Sequence, residues 1–216
     1  MKIRGKKLAL LLFGMSKQEY IHWKRGKKLT NYENSYDNYQ EYIYNFFLNK
    51  GYNIDIYFVT NILDDIEKDK ILNKYKPINY EFIGNKDNIF YSRNLKFKRV
   101  IELCIESKIT YDLVLITRFD LHFKKNFNNV NIKFDKLNLV SILEKPNLIC
   151  DNFYLFPYKY LNDLLNVVNK NIYKSFHYIK DDIENINGKN FVNYIFNENL
   201  TISKLSFYKI VEILIK

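Results

Sequence analysis

Apolar positions in this chain fall into short blocks separated by charged and asparagine-rich stretches, and the spacing within each block predicts an element. Residues 8–13 form an unbroken apolar run, as a strand buried on both faces requires, and Gly14 permits a tight turn beyond it. Tyr39, Tyr42, Ile43, Phe46 and Phe47 recur at helical spacing, with Gly51 where a C-terminal cap belongs. Residues 53–60 read as a second strand. Residues 64–75 alternate acids and lysines around Ile66, Ile71 and Leu72, the pattern of a helix covering a sheet, and Pro77 marks its end. A third short strand is predicted at 80–83. After a polar turn at 84–88, Ser92 is read as the N-cap of a helix reaching residue 107, with Leu95, Val100, Leu103 and Cys104 as its inward stripe. The β-branched run 113–117 is a fourth buried strand. Beyond it, 139–143 and 148–156 read as strands, 159–169 and 188–196 as helices, and 200–205 as a last strand before a terminal helix.

The order is β-α-β-α-β-α-β followed by a less regular second half, without an internal repeat. This predicts a single α/β domain: a Rossmann-type N-terminal half and a mixed central sheet flanked by helices. The weakly periodic stretch 16–38 is too polar to fold alone and is expected to be an ordered loop over a site. The first seventeen residues have the basic start and apolar core of a signal peptide. The apolar part is short for that role and no small-x-small cleavage pattern follows, so a buried first strand is the preferred reading. No segment approaches the roughly eighteen apolar residues of a membrane span.

Composition changes this picture little. The 216 residues are 47% apolar, enough for a substantial core, and carry a formal charge of +10. Lysine supplies nearly all of that charge, scattered among asparagine, isoleucine, tyrosine and phenylalanine, the residues favoured by AT-rich codons. The excess is therefore weak evidence for a nucleic-acid partner, although its general field favours a phosphate-bearing ligand. Most of the nineteen tyrosines and seventeen phenylalanines fall at core spacing and are read first as packing residues. Cys104 and Cys150 are expected to be buried reduced thiols, which fits a reducing, cytoplasmic compartment.

Arginine, by contrast, is scarce: Arg4, Arg25, Arg93, Arg99 and Arg118, three of them between 93 and 118. Lysine cannot replace a planar guanidinium where a carboxylate or phosphate is gripped in fixed geometry. The tract YDLVLITRFDLHF, residues 111–123, ends its apolar run in Arg118, Asp120 and His122. In open α/β sheets ligands sit beyond the carboxyl ends of strands. If the chain stays extended, Asp120 and His122 leave the same face and one cation touches both. The bland alternative is that Asp120 caps a turn and His122 packs on the surface. Arg93, Lys96 and Arg99 share a broad sector of one predicted helix, as diphosphate contacts or as a solvated face. Asp151, beside Asn152 at the junction before an apolar run, is either a general base or half of a turn-forming pair. His177 and the loop His22, Trp23, Lys24 and Arg25 remain open between function and packing.

On these residues the chain resembles the GT-A family of glycosyltransferases: an N-terminal βαβ half, a helix carrying Ser92, Arg93, Asn94 and Lys96, and a buried strand ending in a short acidic motif. The family's Asp-x-Asp is here Asp120-Leu121-His122. The tract TRFDLHF followed by ICDNFYLFP is also similar to small glycosyltransferase-like proteins of large DNA viruses, for which the location would be host cytoplasm. The resemblance implies one domain over 1–216, with 1–123 binding a nucleoside diphosphate sugar and 124–216 a glycan or other hydroxyl acceptor. It implies Mn²⁺ or Mg²⁺ at Asp120, His122 and His177, and a donor site of Phe13, Gly14, Arg93, Asn94, Lys96 and Arg118. Asp120 and Asp151 would be the catalytic carboxylates. Two alternatives stand beside it. A nucleotidyltransferase would need a glycine-rich loop after the first strand, where only Gly14 is present. A non-catalytic nucleic-acid or glycan-binding protein would show steep salt dependence.

Overall fold

The computed structural model describes residues 5–22, 26–84, 89–141, 148–196, 208–210 and 213–214. The expected aromatic-basic loop at Trp23, Lys24 and Arg25 and the strand expected at 200–205 lie outside the described residues.

Strand β1 (Lys6–Gly14) lies inside a seven-stranded sheet, and its apolar run divides cleanly between two faces. Leu8, Leu10 and Leu12 enter one core; Ala9, Leu11 and Phe13 enter the other. A hairpin of β2 (Lys17–His22) and β3 (Gly26–Asn31) follows. Next come α1 (Glu33–Tyr39), a π-helical segment (Gln40–Tyr44) and α2 (Asn45–Leu48). The loop expected over 16–38 is thus a hairpin and the first turns of a helix. Not all of its polar residues are solvated: Glu33, Asn34 and Asp37 are exposed, but Ser35 and Asn38 are buried.

β4 (Tyr52–Thr60), α3 (Asp65–Tyr75) and β5 (Asn79–Phe82) then build the parallel flank of the sheet. The Asp64 side chain accepts from the Glu67 N–H at 3.0 Å and caps α3, which ends at Lys76 with a left-handed φ of 46°. Helix α4 (Ile89–Glu106) begins before Ser92, which is therefore an interior residue and not its cap. β6 (Leu113–Arg118) pairs with β1 in parallel, and the short β7 (Leu121–Phe123) lies beyond it. Later elements are β8 (Leu137–Leu139), β9 (Phe153–Pro157), α5 (Leu161–Lys170), α6 (Lys180–Glu184) and β10 (Val192–Tyr194). The helix expected at 188–196 is instead a 3₁₀ turn, Lys189–Phe191, leading into β10, because pairing with β8 fixes that segment. In place of the expected terminal helix stand β11 (Tyr208–Ile210), against β7, and β12 (Ile213–Leu214), against β3.

The sheet order is β10-β8-β9-β6-β1-β4-β5, and β9 alone runs against the rest. Tyr39, Ile43, Phe46, Phe47, Ile71 and Tyr75 cover one face. Residues of α4, α5 and α6, including Phe97, Val100, Leu164 and Ile183, cover the other. This is the single α/β layering expected from the element order. Cys104 and Cys150 are free and buried, and burial pushes the Cys104 thiol up to about 12. No helix among the described residues is long and apolar enough to cross a membrane.

Candidate functional site

Chain direction brings the polar residues together. From β1 the chain winds outward through β4 and β5, then crosses back to β6 on the other side of β1, so the carboxyl ends of β1 and β6 form the topological switch point. Phe13 and Arg118 are register partners there. Helix α4 starts at this same edge and places Arg93 above it. Because β9 runs antiparallel to β6, its beginning lies beside the end of β6, and that delivers Asp151 and Asn152 to Arg118. Helix α5 returns to the carboxyl edge and delivers His177.

The resulting cluster is continuous. Arg93 Nη1 donates to Asp151 Oδ2 at 2.5 Å, and its Nη2 donates to the Asp151 carbonyl at 3.0 Å and to Asn152 Oδ1 at 3.3 Å. Arg118 Nη1 reaches the same Asn152 Oδ1 at 3.3 Å. Arg118 also forks onto Asp120, with Nε on Oδ1 at 2.7 Å and Nη2 on Oδ2. Asn152 is fixed in turn by its carbonyl, which accepts from Thr117 Oγ1 at 3.0 Å. His177 Nδ1 lies 3.4 Å from Asp151 Oδ1.

Burial separates the layers. Asp151 and Asp120 side chains are 1% and 2% exposed, whereas those of Arg93 and Arg118 are 21% and 20% exposed. The two arginine side chains are thus the partly open members of the cluster and the carboxylates the sealed ones, although Arg93 Nε is itself buried without a hydrogen-bond partner among the described residues. Burial alone would push the Asp151 carboxyl up, but Arg93, His177 and Arg118 outweigh it and keep it below the usual carboxylate value. A sealed carboxylate kept ionised in this way orients its partners; it is not placed to take a proton from a ligand.

Several sequence-predicted residues sit elsewhere or act indirectly. The Phe13 ring is wholly buried, 4.8 Å from Phe97, with the Arg93 guanidinium 5.7 Å from its centroid, so it supports that arginine from the core. Gly14 has φ 105°, which favours glycine, and nothing lies within 4 Å of where a Cβ would be. Asn94 is buried and spends its amide on the Ile172 and Lys174 carbonyls, at 2.9 and 2.7 Å, tying α4 to the segment before His177. Arg99 is taken by Glu81, Glu102 and Glu106 in an ion network outside the cluster. An open depression beside β5, lined by residues such as Ile62, Asp65, Leu72 and Tyr80, shares no residue with the cluster.

Lys96 lies on α4 one turn beyond Arg93, buried, with its ammonium 3.3 Å from Ser92 Oγ. Burial pulls its pKa down to about 8. In the unfolded chain a lysine titrates near about 10.4, so the folded state bears the cost of the charged form below pH 8 and sheds it as pH rises from 8 towards that value. Lys96→Met is accordingly expected to stabilise the protein near neutral pH by about 1–3 kcal/mol. Urea unfolding should show that gain disappearing as the pH is raised through about 10; a gain indifferent to pH would assign it to packing instead.

The donor set does not fit a divalent cation. Both Asp120 oxygens accept from Arg118, so that carboxylate is already taken by a cationic partner, and His177, whose Nδ1 lies 2.7 Å from the Ile149 carbonyl oxygen, is left with Nε2 alone to offer. No group of three or more His, Cys, Asp or Glu side chains able to hold a metal occurs among the described residues. The chain also fails to stay extended after β6: Phe119 and Asp120 form a turn, and Asp120 folds back onto Arg118. His122 sits in β7 between Leu121 and Phe123, which both enter the core.

Two residues missed in the sequence hold the motif from the opposite face. Asn38 clamps Phe123, accepting from its N–H at 2.7 Å and donating to its carbonyl at 2.9 Å. Buried Tyr39 donates its hydroxyl to the Arg118 carbonyl. Both stand where α1 passes into the π-helical segment, a distortion that recurs at functional sites. Only the helical spacing of Tyr39 was visible in the sequence; nothing there pointed to Asn38.

No protein-family model matches the chain, and no curated protein matches it. Among solved structures it is similar to a nucleoside-diphosphate-sugar pyrophosphorylase from Vibrio cholerae RC9, at TM-score 0.49 and 11% identity over 86% of this chain and 90% of that one. It is also similar to the glycosyltransferase GlyE of Streptococcus pneumoniae TIGR4, at TM-score 0.42 and 11% identity over 88% of this chain and 45% of that one.

Proposed function

We propose that the chain is a GT-A-type glycosyltransferase that moves a sugar from a nucleoside diphosphate donor to a hydroxyl acceptor, with residues 1–123 holding the donor and 124–216 the acceptor. The observation that carries this reading is the pair of partly open arginine side chains, Arg93 and Arg118, oriented by Asp151, Asn152 and Asp120 at the switch point between β1 and β6. Breaking a sugar–phosphate bond builds negative charge on the departing diphosphate, and preorganised donors aimed at that charge lower the barrier. A fork-shaped cation suits phosphate oxygens better than a lysine ammonium does. The two arginines and two aspartates cancel formally, so the attraction of a polyanion comes from the partial exposure of the arginine side chains above sealed carboxylates and from the general excess of +10.

The test is turnover. Incubated with UDP- and GDP-sugars, with and without Mn²⁺, and with simple sugars or water as acceptor, the protein is expected to release nucleoside diphosphate, and Arg118→Ala to release it about 10²-fold more slowly. Release of pyrophosphate from a nucleoside triphosphate instead would replace this reading by nucleotidyl transfer. Failure to act on any nucleotide substrate would overturn it.

A further inference from the structure

His177, left open between function and packing by the sequence, is placed by the structure beside the buried Asp151. Its Nδ1 faces two acceptors, the Ile149 carbonyl at 2.7 Å and Asp151 Oδ1 at 3.4 Å. A carbonyl oxygen only accepts, and the Asp151 carboxyl is held ionised by its surroundings. Nδ1 therefore carries the hydrogen, and in the neutral ring the lone pair is on Nε2. Asp151 and, behind it, Arg93 and Arg118 are the charged groups on this side of the ring.

The frame around the ring is tied at several points. The Ile149 N–H donates to the His177 carbonyl at 2.9 Å, so the two segments are bonded through both backbone and ring. Phe176, the preceding residue, is buried with its ring 5.3 Å from Phe97, and Ser175 caps the short turn. The His177 side chain is nevertheless 26% exposed, and no partner for Nε2 occurs among the described residues. Asp151 divides its oxygens, Oδ2 to Arg93 and Oδ1 towards His177. One buried carboxylate thus sets the position of a phosphate-binding group and of a base together.

We propose that His177 is the general base of the transfer, with Asp151 as its positioning residue. This rests on the glycosyltransferase reading above. The acceptor oxygen bonds to the anomeric carbon while its proton passes to Nε2. The bond from that carbon to the diphosphate oxygen breaks, and the electron pair leaves on the nucleoside diphosphate. The imidazolium, offset by Asp151, then returns its proton to solvent. In this proposal Asp151, 1% exposed, acts through His177 and Arg93, in place of the base role expected of it from the sequence.

Two readouts test this on the full chain. Long-range ¹H–¹⁵N NMR of the uniformly labelled protein resolves the tautomers of its three histidines, and the signals absent from His177→Gln identify residue 177. The expected result is a ring protonated at Nδ1 with a bare Nε2; a ring protonated at Nε2 overturns the proposal whatever the protein binds. In kinetics, His177→Gln is expected to bind UDP- or GDP-sugar within about twofold of wild type but to release nucleoside diphosphate about 10²-fold or more slowly. His177→Gly should regain part of the turnover with added imidazole. Wild-type turnover in His177→Gln overturns the assignment. If the wild-type protein turns over no sugar nucleotide, the donor reading fails, and with it the assignment of His177 as the base of that transfer, while the NMR result still decides whether the Asp151–His177 pairing is correctly read.

Discussion

Asp151→Ala should lower folding stability by about 4 kcal/mol, because it removes one member of a buried ion pair and leaves the Arg93 guanidinium facing a cavity. Arg93 loses its 2.5 Å bond to Oδ2, and His177 loses the carboxylate beside Nδ1. Turnover should fall with it, because both a phosphate-binding group and the base lose their orientation. Urea unfolding measures the first effect; a loss under about 1 kcal/mol would show that the pair is not sealed as described. The same carboxylate contributes to acid sensitivity, as do Glu67 and Asp182, whose carboxyls are also held below the usual value by their lysine and amide partners. The folded pKa of Asp151 is depressed, so its contribution is fully present above the unfolded value of about 3.9 and is lost as pH falls through the folded one. The stability difference between wild type and Asp151→Ala should therefore narrow on acidification below about pH 4.

Asp120→Ala is the second large effect, expected to cost about 3 kcal/mol and to weaken sugar-nucleotide binding at least tenfold. Arg118 donates to both oxygens of this buried carboxylate, and the substitution removes the fork that orients its guanidinium. The backbone of Arg118 stays held by the Tyr39 hydroxyl and by pairing with β1, so the change falls on the orientation of the side chain. Asp120→Asn keeps one acceptor oxygen and should be intermediate. Calorimetric titrations with and without Mn²⁺ separate this role from metal binding. An equal loss in both supports an ion pair that aims Arg118, whereas a loss seen only with Mn²⁺ would make Asp120 a cation ligand.

The central strands were legible because 8–13 and 113–117 are apolar on both faces, a pattern that admits few alternatives to a buried strand. Helix α3 was legible through its cap at Asp64 and the proline beyond its end. Residues 16–38 were not, because Ser35 and Asn38 are polar yet buried, Asn38 satisfying the backbone of a strand 85 residues away. Three-residue strands such as β10 and β11 are defined by their partners more than by their own composition. Within the site, the sequence placed Arg93, Arg118, Asp120 and Asp151 at plausible positions but not with their partners. The Arg93–Asp151 contact spans 58 positions and exists because β9 reverses direction. The Arg118–Asp120 fork needs a turn at Phe119 that period-two reasoning about an extended strand cannot supply.

The proposed ligand site depends on two partly open arginine side chains, Arg93 and Arg118. Titration calorimetry of UDP- and GDP-sugars into the wild-type chain, Arg93→Ala and Arg118→Ala, each checked for folding by its thermal melt, addresses that claim without requiring the acceptor. Saturable binding to wild type, weakened at least tenfold in either folded variant, is the expected result. Binding that ignores both arginines, or no binding by any sugar nucleotide to the folded wild-type chain, would contradict it.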